Sequence, residues 1–114
     1  MRMVCLYRAM SREEWFATQA LKRPAYIGRW KWFSPDRDWV QQRVMDGNFN
    51  NSKFVPGRYS VLVVFDISAQ DSKWFDNRRG CAQCGEREWA LHKRRAHQVR
   101  WRQIRMVLTT RPFL

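Results

Sequence analysis

A chain of 114 residues has room for one domain and one apolar core, with none for a separate regulatory unit. Apolar residues make up 45% of it and aromatics 15%, with seven Trp and seven Phe, which excludes a disordered chain. The 22 Lys and Arg against 10 Asp and Glu give a formal net charge of +12, a field that draws nucleic acid, nucleotide phosphate or an acidic protein face.

Residues 3–8, Met3-Val4-Cys5-Leu6-Tyr7-Arg8, read as a buried apolar strand with Cys5 as a small hydrophobe inside it. Ser11-Arg12-Glu13-Glu14 has the form of a capping box, in which Ser11 satisfies an orphan amide and Glu14 reaches back. The helix it opens is predicted over 12–20, burying Trp15 and Phe16, and Pro24 bars its continuation. Residues 26–33, aromatic-rich around Gly28, read as strand or extended loop. Ser34-Pro35-Asp36 then reads as a helix start, with Ser34 as cap, Pro at the first helical position and an acid in the first turn. Trp39, Val40, Arg43 and Val44 carry that helix to Gly47, and the turn-rich residues 46–58 read as an exposed loop.

Residues 59–67 are apolar on both faces, the pattern of a strand central in a sheet. Residues 71–80 are polar and mobile-looking, 88–91 read as a short strand, and 99–108 as a last strand with a bulge near Gln103. This order suits a single α+β domain over 1–114, with two short helices and a mostly antiparallel, split sheet. No apolar run approaches the ~20 residues that span a bilayer, so no membrane partner is expected. No cleaved signal is recognisable either. The expectation is a cytoplasmic chain, or one delivered into a target cell without such a signal, whether whole or part of a larger protein. Three cysteines, an odd count, argue for a reducing compartment over a disulfide framework.

Three constellations carry candidate chemistry. In a strand, Glu86 and Glu88 project from the same face, either as a working carboxylate pair or as acids offsetting nearby arginines. Arg8, ending an apolar strand, needs an anionic partner, which is either a carboxylate of the chain or a phosphate or ribose held by its fork. Ser34 is explained as a helix cap, yet a strand-to-helix junction is also where a hydroxyl meets a ligand. Trp32 and Phe33 beside it are candidates for stacking on a ring or for core packing.

Arg on the first strand, Lys31-Trp32-Phe33-Ser34-Pro35 at mid-chain and Gly85-Glu86-Arg87-Glu88-Trp89 late in the chain follow one another in a telling order. On these motifs the chain resembles the arginine–serine–glutamate ADP-ribosyltransferases, mainly their compact bacterial toxin or effector members. The resemblance covers most of residues 3–108. It implies a split sheet with NAD, a substrate, in the cleft, and transfer of ADP-ribose to a macromolecular acceptor. It makes Arg8 the dinucleotide anchor, Ser34 the support at the nicotinamide ribose, Glu88 the catalytic carboxylate and Glu86 the acceptor-side one. With Phe33 at the nicotinamide, this is the expected site. Glu86 favours a protein arginine as acceptor, and the basic last third keeps nucleic acid open. An effector of this kind also implies an immunity or inhibitor protein as partner. The chain departs from the family's common Ser-Thr-Ser, since Ser34 lies between Phe33 and Pro35.

A rival reading starts from Cys81-Ala82-Gln83-Cys84, followed by His92 and His97. The ligand types suit a structural zinc in a small basic nucleic-acid-binding module. The seven residues between Cys84 and His92 fall below the usual ~12, which argues against bound zinc. A third reading is an interaction protein, such as an inhibitor, that works through its basic, Trp-rich face.

Overall fold

A computed structural model describes residues 2–46, 59–76 and 88–110. Its elements run β1 (Met3–Met10), α1 (Arg12–Leu21), β2 (Trp30–Phe33), α2 (Arg37–Asp46), β3 (Val61–Ser68), a 3-10 helix (Ala69–Trp74), β4 (Trp89–His92), α3 (Lys93–Ala96) and β5 (Gln103–Thr109). The fold is α+β with a mostly antiparallel sheet and short helices. Odd-numbered strands form one sheet in the order β1-β3-β5, and β2 and β4 form another, every pair antiparallel. A backbone bridge joins the two: Tyr7 N–H donates to Ser34 O at 2.7 Å and Ser34 N–H to Tyr7 O at 2.9 Å.

The apolar run of β3 lies in the centre of its sheet because both of its faces are covered. Val61, Val63, Phe65 and Ile67 face the main core with Leu6, Met10, Phe33, Leu91 and Trp15. Leu62 faces the smaller cluster made by Ala9 and by Val40 and Val44 of α2. α2 covers only the Ala9 end of that second face. Cys5, paired across the strands with Asp66, therefore lies at the uncovered end. It is exposed, and its thiol donates to Asp66 Oδ1 at 3.3 Å. Desolvation and the Asp66 carboxylate both push its pKa up. The expected buried Cys5 is thus corrected: β1 is an edge strand with an open face at its start.

Ser11 does cap α1, its Oγ accepting from Glu14 N–H at 3.1 Å. The helix buries Trp15 and Thr18 and leaves Phe16 half exposed, because only one stripe of a ten-residue helix can face the core. It ends at Lys22, which takes the left-handed conformation (φ 59°) and returns its N–H to Thr18 O at 2.9 Å. α2 begins later than expected. Asp36 Oδ1 accepts from Trp39 N–H at 3.1 Å, which makes Asp36 the cap, while Ser34 Oγ accepts from Asp36 N–H at 3.0 Å in the turn before it.

Part of the polar stretch 71–80 is ordered as the 3-10 helix, capped by Ser68 through Gln70 N–H. The bulge in β5 lies near Val107, not Gln103. Val63 pairs with Met106 and Leu62 with Leu108, so Val107 is the additional residue. Both Val107 and Leu108 then pack against the smaller cluster, a double anchorage that strict alternation would forbid. The expected loop at 47–58 lies outside the described residues. None of the described helices is long and apolar enough to cross a membrane.

Candidate functional site at the sheet junction

Arg8 does have an anionic partner, and it is a carboxylate of the same chain. Its Nε donates to Glu14 Oε2 at 2.6 Å, Nη2 to Glu14 Oε1 at 3.0 Å and Nη1 to the Trp32 carbonyl at 2.9 Å. These bonds use three of the guanidinium's five N–H donors. Lys31 Nζ, from the buried face of β2, also donates to Glu14 Oε2, at 2.9 Å. Glu14 thus serves two cations and does not close the capping box.

Two cations on one carboxylate leave the cluster formally positive. Burial raises the Glu14 pKa, but Arg8 and Lys31 outweigh it and hold the carboxyl below its ordinary value. For Lys31, burial and the neighbouring Arg8 outweigh Glu14 and bring the pKa down to about 8. Tyr26 borders the cluster, with Lys31 Nζ 5.5 Å from its ring centroid. Its hydroxyl donates to Leu91 O at 2.9 Å, and burial pushes its pKa above the ordinary tyrosine range.

Ser34 follows β2 and is buried, its backbone forming the bridge to Tyr7. The β2–β4 register runs from Trp30 opposite His92 to Phe33 opposite Trp89. Glu88 directly precedes β4 and Ser34 directly follows β2, so the two flank the same end of the small sheet, where Tyr7 bridges Ser34 and Arg8 follows it. Arg8, Ser34 and Glu88, far apart in sequence, thus have their backbones at one end of the small sheet, while the Arg8 side chain turns to Glu14 on the Lys31 side and away from the face of Ser34. Glu86 lies outside the described residues.

Of the two aromatics offered for stacking, Phe33 belongs to the core. It is 2% exposed, and its ring lies 5.2 Å from that of Phe65, 5.6 Å from Phe75 and 5.8 Å from Trp101. That removes Phe33 from the stacking role and leaves it to Trp32, which is 40% exposed. Strand alternation puts Trp30, Trp32 and Ser34 on the face shared with Glu88, Ala90 and His92.

Of the proposed zinc ligands, Cys81 and Cys84 lie outside the described residues. His92 caps α3, its Nδ1 accepting from Arg94 N–H at 3.0 Å, and His97 is an exposed residue at the helix end. Among the described residues, no group of three or more His, Cys, Asp or Glu could hold a metal ion.

Sequence reasoning missed Glu14 and Lys31 as members of the site. The capping pattern accounted for Glu14 locally, and Lys31 carried a signal only in its inward position between Trp30 and Trp32. In comparisons with known proteins, the chain matches no family model, no curated protein and no solved structure.

Proposed function

We propose that the chain is a mono-ADP-ribosyltransferase of the effector type, moving ADP-ribose from NAD to a macromolecular acceptor. The observation that supports this most is that the backbone positions of Arg8, Ser34 and Glu88 adjoin the junction of the two sheets. In this reading the Arg8–Lys31 pair, held by Glu14, supplies the positive charge that receives the pyrophosphate. Trp32 offers its exposed face to the nicotinamide. The bond from ribose C1′ to the nicotinamide nitrogen breaks, its electron pair neutralising the pyridinium. Positive charge then develops on the ribose, as in glycoside cleavage, and the Glu88 carboxylate stabilises it. A lone pair of the acceptor forms the new bond to C1′, and the acceptor's proton leaves to solvent. Glu86, beyond the described residues, keeps the acceptor-side role that the motif implies.

The test is nicotinamide release from NAD by wild type and by Glu88→Gln. We expect the variant to lose activity by about 10²–10³-fold while its unfolding midpoint stays unchanged. A fully active Glu88→Gln protein would sink the assignment.

A further inference from the structure

At the far end of β4 from Glu88 lies a groove of about 320 Å³ that the transfer chemistry does not use. It is lined by the rings of Trp30, Trp74, Phe75 and His92 together with Lys73, Arg95 and Asp76. A second hollow of about 540 Å³ shares His92 and Arg95 and adds Arg94, His97 and Gln98. Together they are lined by three permanent cations against one carboxylate. Lys73 Nζ lies 5.0 Å and Arg95 Cζ 4.9 Å from the centroid of the Trp74 ring. Cation–π contact holds both charges on an aromatic support, so less rotamer freedom is lost when they meet an anion. Trp30 and His92, also in the lining, meet edge to face at 4.8 Å.

We propose that this groove docks single-stranded nucleic acid, which makes nucleic acid the acceptor; the second step rests on the transferase reading above. Aromatic rings interleaved with fixed cations match a ligand that alternates flat bases with phosphates. An acidic peptide would meet the charge but leave the rings without a partner. The groove also lies where an acceptor must. His92 and Glu88 fall on one face of β4, four residues and about 14 Å apart, a distance that a few nucleotides cover. A strand seated on Trp30 and Arg95 would run along that face toward the junction.

The experiment is fluorescence anisotropy of a labelled mixed-sequence single-stranded oligonucleotide, with NAD cleavage measured separately in its absence. Arg95→Glu and Trp30→Ala should each weaken oligonucleotide binding at least about tenfold, the value of roughly one stacked base. Arg37→Glu, on the exposed side of α2, should change it little, and NAD cleavage should be unaltered in all three. Because Arg95 is exposed, its variant tests the groove even if Trp30→Ala fails to fold. Equal weakening by Arg37→Glu would show binding spread over the whole basic surface and overturn the proposal. So would displacement by poly-glutamate as readily as by unlabelled oligonucleotide. A raised KM for NAD in Arg95→Glu, with oligonucleotide affinity intact, would assign the groove to the dinucleotide instead. Groove-dependent binding in a protein that never cleaves NAD would overturn the transfer and leave the docking site standing.

Discussion

The two sheets of this protein are built on different terms. In the three-stranded sheet, β3 buries seven of its eight residues between two apolar clusters. In the two-stranded sheet, β2 alternates, sending Lys31 and Phe33 inward while Trp30 and Trp32 keep a face toward solvent. Both sheets bury apolar area in the main core, the smaller one through Phe33 and Leu91, but the smaller one also carries the polar cluster of Glu14, Arg8 and Lys31. Stability and candidate chemistry are therefore separable on the open face of β2 and coincide at the Glu14 cluster. A change in β3 should unfold the protein, whereas one on the open face of β2 should alter what it does.

The strongest way to break that contrast is a matched pair of truncations. Phe65→Ala should cost about 4 kcal/mol, since Phe65 is fully buried against Phe33 and Trp101. Trp32→Ala should cost less than about 1 kcal/mol because its ring is already part-exposed. Urea unfolding of both variants checks this, and equal losses would erase the distinction.

Next in size is Glu14→Gln, which strands Arg8 and Lys31 beside each other without their counter-charge. We expect a loss of about 3 kcal/mol, the low end for a buried pair because Glu14 and Arg8 keep some exposure. Adding Lys31→Met should recover part of it, and a double variant no more stable than Glu14→Gln would argue against charge as the cause.

A smaller signature is the pH dependence of stability. The folded pKa of Lys31, about 8, lies below its ordinary 10.5, so the unfolded chain binds more protons between those values. Stability should therefore climb with pH above about 8. The climb should reverse above about pH 10, where unfolded tyrosine ionises and Tyr26 in the fold does not. Glu14 has a lowered pKa, so its contribution is present above the ordinary 4.5 and fades as pH falls through the folded value. Urea midpoints between about pH 7 and 9 should rise in wild type and not in Lys31→Met, while above about 9 the raised thiol pKa of Cys5 pulls both proteins down.

The smallest effect concerns α1 alone. Lys22 sits at φ 59°, a conformation that glycine adopts without strain. Lys22→Gly should raise stability by a few tenths of a kcal/mol, up to about 1 kcal/mol, and a thermal melt that moves down would contradict it.

Much of the larger sheet was legible in the sequence because its signals are local. The unbroken apolar run before Asp66 could only be a strand covered on both sides, and the capping residue Ser11 announced α1. What failed to be read depended on distant partners. The exposure of Cys5 follows from where α2 stops, the destination of the Glu14 carboxylate from Arg8 and Lys31, and the Val107 bulge from a demand for two anchors against the second cluster. In the site, the placement of Ser34 and Glu88 at the same end of the small sheet follows from the β2–β4 register, which spacing alone does not set. Phe33 was placed at a ligand because it adjoins Ser34, although strand alternation already sends it to the other face.

The bridge between Tyr7 and Ser34 has a consequence for motion. Its two amides, one from each sheet, are bonded to each other's carbonyls across the junction. Any change in the angle between the sheets must stretch that pair. Hydrogen exchange at Tyr7 and Ser34 therefore acts as a gauge of the junction's opening, and a molecule wedged there would be registered in the backbone before any side chain was substituted.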